Sequence, residues 1–245
     1  MQHFRILPAG DSAIVVEFGN VINQALSSRV LALDERLRKT PPVGVIETLP
    51  TFRSLLISFD PKRSSHEELA GVVGDLFDAN DCVDGDGRLW RLPVCYDPSV
   101  APDLDDVARR AGLTRDEVVA RHCGARQHVY MLGFLPGQPY LGDLDPAIEL
   151  PRRETPRVSV PAGSVGIAGR MTCAFPRETP CGLHVIGRTP VQLWFGDEGP
   201  RSLLSPGDQV EFVPVSLRDF EIISKRAAKG ESSRSSPHSG QGRAG

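Results

Sequence analysis

Apolar residues in the first third of the chain recur with two alternating periods. Ala13-Ile14-Val15-Val16-Glu17-Phe18 is a β-rich run, and Phe4–Phe18 as a whole predicts a strand, a turn at Pro8-Ala9-Gly10-Asp11 and a second strand. From Asn23, a plausible N-cap, Leu26, Val30, Leu33 and Leu37 follow at helical spacing until Thr40-Pro41-Pro42 stops the helix. Val45–Leu49 and Ser54–Phe59 predict two further strands joined by Pro50–Arg53. Ser64 or Ser65 then caps a helix running through Asp78, with Leu69, Val72, Val73, Leu76 and Phe77 on its apolar face. The order strand, helix, strand, strand, helix with short links predicts a ferredoxin-like α/β sandwich over residues 1–85.

Asp81–Arg88 is polar and aperiodic, and is the expected domain boundary. Beyond it, Leu89–Tyr96 reads as a strand. A helical hairpin follows: Leu104–Ala111 capped by Asp103, and Arg115–Cys123 capped by Thr114 with Glu117 completing a capping box. After Val129 the period changes to short apolar runs cut by Gly and Pro: Arg157–Val160, Val165–Ala168, Val185–Ile186, Val191–Phe195 and Gln209–Val213. Short strands at close spacing predict a closed or nearly closed β-barrel over residues 89–224, since closure removes exposed edges. The fold class is therefore α+β. Residues 225–245 hold no apolar side chain larger than Ala and are expected to be disordered.

Composition narrows the function classes. The 245 residues are 40% hydrophobic and 24% charged, ordinary for a globular protein. From Lys225 onward there are five basic residues and one acid, so the formal total of −3 leaves −7 on the body. An acidic body has no basic stripe to collect nucleic acid. No apolar run approaches the roughly 20 residues of a membrane span, and the start lacks a signal pattern, so a cytoplasmic protein is expected. The five cysteines are odd in number and lack Cys-x-x-Cys spacing, which fits reduced thiols better than disulfides or zinc.

Candidate chemistry gathers in Val129–Pro190, where Gly and Pro density predicts rigid shaped loops. Ser164, in the turn Pro161-Ala162-Gly163-Ser164, is a candidate catalytic hydroxyl, with amides around Gly163 and Gly166 as donors to a carboxylate, phosphate or lactam oxyanion. The alternative is a hydroxyl that only caps the turn. Arg157 and Arg188 are candidates for a bidentate clamp on an acidic ligand. The competing reading is an ion pair with Glu154, Glu178 or Asp197. Tyr140, in the Phe134–Tyr140 loop, is a candidate pocket wall or subunit contact. His184 is the best placed general base among His122, His128 and His184. Neither a phosphate-binding Gly-x4-Gly-Lys-Ser/Thr loop nor a His-Glu-x-x-His helix occurs, and Ser164 misses a Gly-x-Ser-x-Gly elbow by one position.

Five phrases in order resemble one family. They are Gly10-Asp11-Ser12-Ala13, Pro50–Leu56, Phe134-Leu135-Pro136-Gly137-Gln138-Pro139-Tyr140-Leu141-Gly142, Val160–Gly169 and Ile186-Gly187-Arg188-Thr189-Pro190. They are similar to the B subunit of bacterial 5-oxoprolinase, a group also called allophanate hydrolase subunit 1 or the sporulation kinase inhibitor family. The resemblance implies a cyclophilin-like barrel, partner A and C subunits, and ATP shared with those partners. The reaction it implies is ATP-dependent opening of the 5-oxoproline lactam to L-glutamate. A resonance-stabilised lactam carbonyl is a poor electrophile, and phosphorylation of its oxygen creates a leaving group. The same resemblance implies two alternatives: an inhibitor of a sensor histidine kinase, or a subunit of an allophanate hydrolase or urea carboxylase-like complex. The family pattern is broken at Arg170–Pro176, at Pro180-Cys181-Gly182, and at Gln138, where Phe is usual. Loss of one polar contact from a lactam-reading site costs about 1–3 kcal/mol, so these departures bear on the substrate.

Overall fold

Alternation along the N-terminal strands sorts their side chains onto two faces, and one of these carries the core. In the computed structural model, which describes residues 4–76, 87–196 and 201–228, the chain divides into two units, Met1–Asp86 and Gly87–Gly245. The first contains β1 (Arg5–Pro8), β2 (Ala13–Glu17), α1 (Gln24–Lys39), β3 (Val45–Pro50), β4 (Ser54–Phe59) and α2 (His66–Leu76). The strands form an antiparallel sheet in the order β1-β2-β4-β3. Ile14, Val16, Leu55, Ile57 and Phe59 on one face pack against Val30, Leu33 and Leu37 of α1 and Leu69 and Val73 of α2. The helix starts are built as their sequences require. Asn23 Oδ1 accepts the Leu26 amide at 2.8 Å, and Ser65 and Glu68 exchange backbone and side-chain bonds at 2.8 and 3.2 Å. Phe77, Asp78 and most of the Asp81–Arg88 boundary stretch lie outside the described residues.

The second unit opens with β5 (Leu89–Cys95) and the hairpin of α3 (Leu104–Ala111) and α4 (Arg115–Cys123). The strands β6 (Gln127–Leu132), β7 (Pro139–Gly142), β8 (Arg157–Val160), β9 (Ser164–Ala168), β10 (Met171–Ala174), β11 (Thr179–Cys181), β12 (His184–Arg188) and β13 (Gln209–Val215) follow, then α5 (Leu217–Ala228). Seven of these strands close a barrel in the order β10-β7-β6-β13-β5-β12-β9. Each contributes to one cluster, through Leu92, Val129, Leu141, Ile167, Ala174, Ile186 and Phe212 among others, so that cluster fills the lumen. Leu104, Val107 and Val118 of the helical hairpin join it. The parallel pairing of β5 with β13 is pinned by the buried Asp208. Its carboxylate accepts the Arg88 amide (3.0 Å), the Trp90 indole N–H (2.9 Å) and the Ser205 amide (2.9 Å).

Four local expectations are corrected. Arg157–Val160 is a strand but lies outside the barrel, in a two-stranded sheet with β11. Val191–Phe195 forms no strand, only an isolated bridge between Trp194 and Ser202. Pro139 and Tyr140, expected in the Phe134–Tyr140 loop, belong to β7 of the barrel hairpin β6–β7. Proline is tolerated there because Pro139 opens its strand. Finally, Lys225–Ala228 is the last turn of α5, whose Phe220 is buried; the rest of the tail lies outside the described residues.

Candidate functional site

The two-stranded sheet β8–β11 forms a flap on the outer wall of the barrel. Along β10, Ala174 points into the lumen cluster while Cys173 points outward, and along β7 Leu141 and Tyr140 divide in the same way. The flap covers this outward face: Val160 and Cys181 pack on Cys173, Phe175 and Val185, with Tyr140 and Leu183 half-buried at the margin. Burial pushes the Cys173 thiol up to about 12 and raises Cys181 and the Tyr140 phenol. Both thiols are therefore protonated packing groups. The Gln138 amide hydrogen-bonds the Cys173 thiol, while its buried Oε1 has no partner among the described residues.

One buried carboxylate fastens the flap. Asp103 precedes α3, but its side chain makes no cap bond, which corrects the expectation that it caps that helix. It accepts instead from Arg153 Nη1 (2.6 Å), Arg157 Nη2 (2.6 Å), Arg157 Nε (3.3 Å) and the Val185 amide (2.8 Å). The Asp103 amide returns a bond to the Val185 carbonyl at 3.0 Å. Arg153 is fixed further by its amide on Gly182 O (2.9 Å) and its Nε on Thr155 O (3.3 Å). The two arginine side chains are 25% and 32% exposed, against 4% for Asp103.

Of the nominated residues, Arg157 is in this cluster, with Asp103 as its acid in place of Glu154, Glu178 or Asp197. Ser164 and Arg188 pair across β9 and β12 at the other end of β12. That is three residue steps from Val185, or about 10 Å. Ser164 is buried, and its hydroxyl donates to Pro161 O at 2.7 Å. Its amide also donates to Pro161 O, and the Gly163 amide donates to Phe175 O, so both of these amides are already engaged. Gly163 has φ +82°, and a Cβ there would run into the Thr189 carbonyl oxygen. Gly166 lies under the Leu183 side chain, which leaves 3.0 Å for a Cβ. Arg188 donates Nε to Ala162 O at 2.8 Å and lies over the Phe220 ring of α5 at 5.8 Å. His184 is buried and bonds Pro151 O through Nε2 at 2.9 Å, so Nε2 carries the proton. Nδ1 is left without a partner among the described residues.

A family model described as "Carboxyltransferase domain, subdomain C and D" matches residues 4–204, which take in the first unit, the flap, Asp103 and every nominated residue. The chain belongs to this family. Among its relatives, the 5-oxoprolinase B subunit of Bacillus subtilis (strain 168) is 37% identical over 242 residues, covering 91% of this chain and 98% of that protein. Two solved structures are similar. Kluyveromyces lactis urea amidolyase has a TM-score of 0.78 at 25% identity, over 93% of this chain and 16% of that one. The protein TTHA0988 has a TM-score of 0.75 at 34% identity, over 83% of this chain and 40% of that one. The carboxyltransferase C and D unit thus stands alone as a subunit in one relative and forms a minor part of longer chains in others.

Within this family framework, Asp103 and Arg153 were not singled out as site residues by the sequence. Asp103 carried a capping signal, and its partners lie 50, 54 and 82 residues away, so no local spacing marks the cluster. Among the described residues no group of three or more His, Cys, Asp or Glu can hold a metal ion, and no helix is long and apolar enough to cross a membrane.

Proposed function

We propose that this chain is the B subunit of a multi-subunit 5-oxoprolinase, an ATP-dependent cyclic-amide hydrolase that converts 5-oxoproline to L-glutamate with partner A and C subunits in the cytoplasm. The observation that carries this reading is the nearly end-to-end match to a protein named as the B subunit of 5-oxoprolinase, with the similarity spread over both units. In the same reading the first unit is a ferredoxin-like sandwich: β2, β3 and β4 with their two helices supply its split order, and β1 fills the remaining edge beside β2. The barrel is cyclophilin-like.

The Gly163–Ser164 turn does not offer an ATP-phosphate cradle: its two amides are already bonded to Phe175 O and Pro161 O, and the sequence has no Gly-x4-Gly-Lys-Ser/Thr loop. Nucleotide chemistry is therefore assigned to the partner chains. This chain contributes the flap face, with Tyr140 and Arg157 as substrate contacts. The Ser164 turn, Arg188 and the buried His184 hold the surrounding backbone. The test is reconstitution with the A and C subunits: the complex should release glutamate from 5-oxoproline only with ATP, and the isolated chain should not. A reconstituted complex without turnover would refute the assignment.

A second reading, a subunit of an allophanate- or urea-processing complex, is favoured by the likeness to K. lactis urea amidolyase. Turnover of allophanate or urea in place of 5-oxoproline by the same complex would select it.

A further inference from the structure

We propose that Arg153 and Arg157, held on Asp103 at the start of the flap, form a binding site for the carboxylate of a small amide-bearing acid. This deepens the hydrolase reading and rests on it for the amide half of the ligand; the carboxylate half comes from the cluster itself. Two guanidinium groups share a single carboxylate, so the cluster keeps a net positive charge. The bonds to Asp103 and Thr155 leave Arg153 Nη2 and Arg157 Nη1 without partners among the described residues. Both side chains are partly buried, at 25% and 32% exposure, where their attraction for an anion is screened less than at an open surface.

Asp103 makes this more than a surface pair. It is buried, it is locked to Val185 in both directions, and it sets both guanidinium planes before any ligand arrives. Orientation fixed in advance lowers the ordering cost of binding, and a guanidinium fork matches a planar carboxylate in two bonds. The Gly182–Leu183 segment, tied to the Arg153 amide through Gly182 O, carries the half-buried apolar side chain of Leu183. Of this cluster the sequence nominates Arg157 alone; the structure assigns Arg153 as its equal and Asp103 as the positioning residue for both.

The experiment is calorimetric titration of the full chain with N-acetylglycine and, separately, with N-acetylglycinamide, which differs only in its uncharged end. The expected result is at least tenfold tighter binding of the acid. Arg153→Gln and Arg157→Gln should each weaken acid binding at least tenfold, and Val158→Ala, at an 89% exposed flap position, should not change it. Melting temperatures check folding. If Arg157→Gln does not fold, Arg153→Gln, which keeps the Arg157–Asp103 bond, decides the matter. Equal binding of the two probes, or acid binding unchanged in the folded arginine variants, overturns the site. Carboxylate-independent binding alongside ATP-dependent turnover by the complex would sink the site and leave the hydrolase reading standing. Carboxylate-dependent binding without turnover would support the site and sink that reading.

Discussion

Asp103 and Val185, 82 positions apart, are joined twice: the Val185 amide donates to the Asp103 carboxylate at 2.8 Å, and the Asp103 amide donates to the Val185 carbonyl at 3.0 Å. The pair welds the start of α3 to barrel strand β12, and the same carboxylate carries Arg153 and Arg157. Asp103→Ala would strand the buried Val185 amide and release both guanidinium groups. The cost should be on the order of 3 kcal/mol to the second unit, moderated because the arginines reach solvent. Urea denaturation followed by Trp90 fluorescence measures it, and a loss below about 1 kcal/mol would contradict the role.

His122 should make the barrel acid-sensitive. It is fully buried, stacks on Phe212 at 4.4 Å, meets the Tyr96 hydroxyl at 2.7 Å through Nδ1, and burial lowers it from 6.5 to about 3. The folded state thus holds the neutral ring while the unfolded chain takes a proton below 6.5. This contribution is fully present above pH 6.5 and shrinks as pH falls toward 3, by about 1.4 kcal/mol per pH unit. Urea denaturation at pH 7, 6 and 5 should show the fall steepening toward this slope, and His122→Gln should flatten it.

Strain and collision can be separated at two glycines. Gly169 has φ +55° with open space around its missing Cβ, whereas Gly163 has φ +82° and the Thr189 carbonyl oxygen in the way. Gly169→Ala should cost about 1–2 kcal/mol from the left-handed backbone alone. Gly163→Ala should cost distinctly more, since the backbone after β12 must shift as well. Equal melting temperatures for the two variants would show that the turn yields freely.

Three buried cysteines should be silent in the native protein. Cys95, Cys173 and Cys181 are buried, and desolvation holds each thiol above its ordinary value. Iodoacetamide at pH 8 followed by peptide mass mapping should find all three unmodified until denaturant is added. Rapid native alkylation of Cys181 would show that the flap opens.

The helices α1 and α4 were legible because periodicity and capping chemistry are local. Asn23, Thr114 and Glu117 do what their sequence neighbours require. The Pro139–Tyr140 end of the hairpin β6–β7 was not, because Gly133, Pro136, Gly137 and Pro139 dominate the sequence there while the pairings that extend the hairpin into the barrel, with β10 and β13, are distant in sequence. Helix α5 was hidden by the charged, small residues at its end, although Phe220 anchors its start under Arg188. At the site, Arg157 could be named from its motif. Its partner could not, since an acid 54 positions upstream is chosen by the barrel's closure and not by spacing.

Phe134 combines two costs that a folded chain ordinarily avoids. Its backbone is left-handed at φ +67°, and its ring is 70% exposed at the tip of the β6–β7 loop. Left-handed backbone costs a residue with a Cβ about 1–2 kcal/mol, and an exposed ring returns little of it. Asn tolerates this region better, so Phe134→Asn should raise the melting temperature relative to Phe134→Ala, which loses the ring but keeps the strain. Residues held in this way concentrate where a ligand or partner is met. Both variants should therefore fold yet co-purify less of a partner subunit than the parent chain. Undiminished capture by folded Phe134→Ala would leave the exposed ring without a role in assembly.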